Sequence, residues 1–169
     1  MADITNVNIG TCNVSIDGVD VGHTKGDVVF TYEPSIHEVT VNKFGSTPAE
    51  AILVGERVTV VVPFAETSLA NIQKVIQLSS TGGVKATIGG TVGDRIGATE
   101  GVELVLHPIA NLTADLTDDI IIYKAVVISS VELGFMVEGE KIMTITFLAL
   151  IDEGRTDSDQ LCLIGDSTP

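Results

Sequence analysis

Apolar and polar residues alternate over 11–16, break at Asp17-Gly18, and resume over 19–21. Asp-Gly between alternating runs is a strong short-range hairpin signal, because the tight turn needs positive φ at both central residues. Residues 27–32 put Val28, Phe30 and Tyr32 on one face. Residues 36–41 set Val39 and Val41 against Glu38, Thr40 and Asn42, so both spans predict half-buried strands. The pattern then fails. Gly45-Ser46-Thr47-Pro48, the apolar run around Ile52, Leu53 and Val54, and the punctuating Gly55 predict a long loop over 44–56 with exposed hydrophobic content.

Residues 57–64 predict a strong strand that runs into Glu66-Thr67-Ser68, where Thr67 or Ser68 can cap a helix. Leu69, Ile72, Val75, Ile76 and Leu78 recur at helical spacing opposite Asn71, Gln73, Lys74 and Gln77, which predicts one amphipathic helix over 67–78. Ser79-Ser80-Thr81-Gly82-Gly83 reads as its stop. Short strands follow at 84–88 and 102–106, separated by a glycine-rich stretch at 89–97, and 115–119 reads as a polar turn. Residues 120–137 are almost continuously β-prone and 142–151 return after Glu138-Gly139-Glu140, which predicts one overlong hairpin. The expected fold is mainly β: an antiparallel β-sandwich or rolled sheet over 1–151 with one short flanking α-helix. The remainder, 152–169, reads as an extended acidic C-terminal arm.

Composition narrows the building material. The chain is 44% hydrophobic but only 4% aromatic, with no Trp, so its core must be Val, Ile, Leu and Ala. Nine Lys and Arg against 23 Asp and Glu give a net charge of −14, which repels phosphate backbones and anionic lipid. The same charge suits a surface that DNA slides past without gripping. The first residues, Met1-Ala2-Asp3-Ile4-Thr5-Asn6, carry no basic-then-apolar signal pattern, so a chain that starts in the cytoplasm is expected. Apolar stretches fall well short of the ~20 residues of a membrane helix. Cys12 and Cys162, far apart and without metal-ligand spacing, are expected to be ordinary free thiols.

A search for chemistry finds no catalytic constellation. The 89–97 stretch lacks the Gly-Lys-Ser/Thr ending of a phosphate loop. His23, His37 and His107 have no partner at metal-ligand spacing and read as polar surface residues. Asp17 and Asp20 fit a hairpin turn better than a calcium loop. Asp118-Asp119 and Glu138/Glu140 fall in predicted turns, where solvated charge is the default over acid–base catalysis. No Gly-x-Ser-x-Gly elbow is present. No enzyme activity, metal or cofactor is expected. What remains is an apolar, strand-forming chain, of mean hydropathy +0.40, whose long edges need partners.

One family combines these features. Residues 12–24 give a strand entering a Gly22-His23-Thr24-Lys25-Gly26 turn, followed by Gly26-Asp27-Val28-Val29-Phe30. Phe44-Gly45-Ser46-Thr47-Pro48, Gly55-Glu56-Arg57-Val58-Thr59-Val60 and Phe64-Ala65-Glu66-Thr67-Ser68-Leu69 continue the pattern through about the first 80 residues. In this order of motifs the chain resembles the tail tube proteins of long, non-contractile-tailed bacteriophages. The resemblance implies stacked homohexameric rings in the virion tail, assembled in the bacterial cytoplasm. It also implies contacts with tape measure, tail terminator and distal tail proteins, and DNA passing through the bore without specific binding. It further implies inter-ring contact by the predicted loop, with Phe44, Pro48, Ile52, Leu53, Val54 and Glu56 as candidates. Glu33, Glu38, Glu132 and Glu138 are candidate lumen-facing acids, with plain solvent exposure the competing reading. Tubes of secretion systems or bacteriocins, a head decoration or baseplate protein, and a monomeric β-sandwich binding module remain the alternatives.

Overall fold

The computed structural model describes residues 10–76, 79–82, 85–135, 137, 139–156 and 158–166, with the backbone alone described over 79–82. The chain begins with the expected hairpin, β1 (Cys12–Ile16) and β2 (Val19–Asp20), in which Ser15 pairs with Asp20 and Ile16 with Val19. Asp17 and Gly18 take φ of 50° and 71°, the double positive-φ turn that Asp-Gly favours.

Two long strands follow, β3 (Val29–Thr40) and β4 (Pro48–Phe64), and pair along nearly their whole length. After α1 (Leu69–Val75) and a two-stranded sheet of β5 (Ser79–Gly82) and β6 (Lys85–Ile88) comes a one-turn helix, α2 (Ile96–Thr99). β7 (Val102–Pro108), β8 (Ile120–Val127), β9 (Met143–Ala149) and β10 (Cys162–Ile164) complete the chain. All pairings are antiparallel, and the main eight-stranded sheet runs β2-β1-β7-β8-β9-β4-β3, with β10 also on β8.

The sheet is rolled around a single core. Val14 and Ile16 of β1 join Val58, Val60, Val62 and Phe64 of β4 in one cluster, although three strands lie between β1 and β4. Phe64 and Phe147 meet edge to face at 6.5 Å between centroids. Cys12 of β1 and Phe30 of β3 line one small cleft of about 190 Å³, so opposite regions of the sheet converge there. Helix α1 covers one end. Ser68 caps it by accepting a hydrogen bond from the Asn71 N–H (3.2 Å), Val75 is buried, and the buried Asn71 Nδ2 donates to the carbonyls of Val21 and Glu66.

Several expectations are corrected. The span 44–56 is not a loop, since β4 begins at Pro48 and the connection is a short turn around Asn42–Phe44. The two strands expected before it are one 12-residue strand. Only a seven-residue helix forms within 67–78, with Leu69 exposed; Gln77 and Leu78 lie outside the described residues, and the expected stop at 79–82 is β5. The glycine-rich stretch holds α2. The overlong hairpin is elsewhere too: β8 leaves the sheet after Val127, where the Ser129 hydroxyl accepts from the Thr146 N–H in place of a backbone ladder bond. The described residues of 152–166 do not form an extended arm, because β10 pairs with Ile120–Ile122 and Leu161 and Cys162 pack against the core.

Candidate assembly surface

The β3–β4 hairpin has two parts with different surroundings. Near the body, Phe30 packs on the core and the even-numbered positions of β4 from Val58 to Phe64 are buried. Beyond that, every β4 residue from Pro48 to Arg57 is exposed, and β9 runs beside β4 only from Phe64 to Thr59. The remainder, about Pro34 to Glu56, is a two-stranded arm standing clear of the core. Among the described residues neither of its strands has a second neighbouring strand.

Its sequence explains why it is a strand and why it is uncovered. Ile36, Val39, Thr40, Ile52 and Val54 favour extended backbone, and the hairpin supplies the hydrogen bonds. Register shifts at Val54 and Ala49, each unpaired opposite β3, are bulges that absorb the failed alternation. Gly55 sits beside the first bulge, with open space where a Cβ would stand. Pro34 and Pro48 cannot donate ladder bonds and are tolerated because β3 is an edge strand and Pro48 is the first residue of β4.

At the tip the Phe44 N–H donates to the Val41 carbonyl at 3.0 Å, and Gly45 (φ 64°) reverses the chain. Phe44 is 56% exposed, with the Lys43 ammonium 5.6 Å from its ring centroid. At the base lies a cleft of about 510 Å³. One wall is the start of the arm, where the Tyr32 hydroxyl donates to the Glu56 carboxylate at 2.7 Å; that bond holds the Tyr32 phenol above its ordinary pKa. The other wall is the C-terminal segment with Leu161 and Cys162.

That segment is fastened by a charged latch. Arg155 stacks on the Tyr123 ring, 3.3 Å from its centroid, and Asp159 accepts from both Tyr123 (2.6 Å) and Arg155 (3.1 Å). Burial, then the Asp159 hydrogen bond, pushes the Tyr123 phenol up to about 12. Burial likewise raises the pKa of the free thiols Cys12 and Cys162.

The structure sorts the candidate contact residues along this arm. Phe44 is at the tip and Pro48 opens β4 opposite Thr40. Ile52 pairs with His37 on one face, Leu53 pairs with Ile36 on the other, Val54 is the bulge, and Glu56 lies at the base. The acids do not converge. Glu33 is opposite Arg57, and Glu38, opposite Ala51, lies on the other face of β3 because side chains alternate along a strand. Glu132 is exposed in the strandless segment after β8, and Glu138 lies outside the described residues.

Two features escape the sequence. His107, expected on the surface, is largely covered, with Nδ1 2.6 Å from the carboxylate of Asp119, itself 3% exposed despite sitting in a turn. The turn over 115–119 folds inward because His107 projects from β7 beside it, a contact set by strand order. Lys25 pairs with Glu140, pinning the glycine turn to the segment before β9.

Among the described residues no group of three His, Cys, Asp or Glu side chains is placed to hold a metal, and no helix is long and apolar enough to cross a membrane. Compared with protein-family models and with curated proteins, the chain matches none.

Proposed function

We propose that this chain is a non-enzymatic structural subunit that assembles with copies of itself into stacked rings, the tube of a bacteriophage-type tail. The observation that carries the reading is the arm. A two-stranded ribbon alone is marginal in water, and this one exposes Ile36, Ile52, Leu53 and Val54 together with unpaired strand edges. Another copy covering it converts that cost into association.

The charge of −14 supports the conduit reading, since a bore poor in Lys and Arg offers DNA no phosphate contacts to release ions against. Hexameric rings, and end contacts with tape measure, terminator and distal tail proteins, come with the family resemblance and are part of the proposal.

Electron microscopy of the purified protein over a concentration series tests it, beside Leu53→Asp. Rings or tubes, lost in the variant, are the expected result. Wild-type monomers at every concentration overturn the reading, and isolated trimers favour a head decoration protein.

A further inference from the structure

The arm carries a knob at one end and a hollow at the other. The knob is Lys43 and Phe44, a cation and an exposed aromatic ring on one short turn. Lys43 is the sole Lys or Arg between Pro34 and Glu56. The hollow is the cleft of about 510 Å³ at the base, lined by apolar Val58, Ile151, Leu161 and Cys162, with Tyr32 and the Glu56 carboxylate at its polar side. Among the described residues no Lys or Arg lines it. Its volume suits a pair of side chains, since small-ligand sites begin at about 300 Å³.

We infer that the cleft is the receptor for the arm tip of a second copy, with Phe44 packed against Ile151 and Leu161 and the Lys43 ammonium paired with Glu56. The inference rests on the self-assembly reading above and names the two surfaces that meet. Charge selects the occupant: an acidic, cation-free hollow faces a chain of net charge −14, most of whose surface it repels, and the arm brings its one cation together with its aromatic. Glu56 already accepts from Tyr32, yet a carboxylate has capacity for further donors, so the ammonium adds a partner without displacing one. Tyr32 presents a ring beside the site for edge contact with Phe44.

Geometry makes the contact intermolecular. Base and tip are separated by about ten residues of paired strand, roughly 30 Å at about 3.3 Å per residue, so no copy fills its own cleft. Knob and hollow are different surfaces, so the contact is head-to-tail and each copy both gives and receives. The arm length then sets an axial step on the order of 30 Å between successive copies.

Cys162 in the cleft supplies the test. In the full chain carrying Cys12→Ser and Asn42→Cys, the new thiol adjoins the knob and leaves Lys43 and Phe44 intact. Mild oxidation, or a short bismaleimide, is expected to give a ladder of covalent multimers on non-reducing gels. The ladder should vanish when Cys162→Ser is added and fall at least about tenfold with Phe44→Asp, a loss typical of a removed aromatic anchor. Phe44 is exposed, and circular dichroism checks that its variant folds. Assemblies that form without this cross-link, or a ladder indifferent to Phe44→Asp, overturn the knob-and-hollow contact and leave self-assembly standing. Absence of both cross-link and assembly at every concentration overturns both.

Discussion

From Val58 to Phe64, β4 buries or half-buries every side chain in the core, whereas from Pro48 to Arg57 the same strand buries nothing. Both halves hold an apolar run, Ile52-Leu53-Val54 in one and Val60-Val61-Val62 in the other, but the first also carries Glu50, Glu56 and Arg57. The surroundings also change: β9 pairs with β4 from Thr59 to Phe64, whereas from Pro48 to Arg57 β3 is its one neighbouring strand among the described residues. The body is thus a region where hydrophobic side chains find partners within the chain. In the arm they stay exposed.

Substitutions in the two regions should therefore fail in different ways. The largest effect is expected in the body: Phe147→Ala removes a fully buried ring and should cost about 3–5 kcal/mol, seen as a lower urea midpoint. An intermediate effect is expected at the latch, where Tyr123→Phe deletes a hydrogen bond to a carboxylate and should cost about 1 kcal/mol. The latch also predicts a pH dependence. Because the native phenol titrates at about 12, the folded state favours its neutral form. Its contribution is complete below the ordinary tyrosine value of about 10 and declines as pH rises from there towards about 12. Thermal melts between neutral and alkaline pH should show that decline in the wild type and lack this component in Tyr123→Phe. The smallest effect on folding is expected in the arm, where Leu53→Asp should shift the urea midpoint by less than about 0.5 kcal/mol while abolishing assembly. If Leu53→Asp unfolds the protein, the arm is part of the body and the comparison collapses.

Much of this fold was legible in the chain. Asp17-Gly18 announced the first hairpin because its turn chemistry is local, and Ser68 announced a helix cap for the same reason. The β-branched, apolar run over Val58 to Phe64 marked the core strand. What misled was strand propensity without knowledge of partners. Residues 128–137 have the composition of a strand, but the pairing of β8 with β9 ends at Val127, and the described residues of that stretch form no strand. Conversely, Pro48 and Gly55 read as loop punctuation, yet a strand start tolerates the first and a bulge the second. The candidate contact residues were assigned to a loop and lie instead on the tip and strand of the hairpin. The cleft was invisible for a deeper reason: Tyr32 and Cys162 lie at opposite ends of the sequence, and only the return of the C-terminal segment brings them together.

That return also imposes a timetable on synthesis. β10 completes the edge of β8, and Leu161 and Cys162 form one wall of the cleft. Residues 29–64 leave the ribosome long before these and can pair as soon as they emerge. On the proposed head-to-tail contact, a half-made chain would display its arm before it owned a receptor. Completion of the last strand would then be the step that lets a subunit receive a neighbour's arm, and the order in which the residues are made would delay polymerisation.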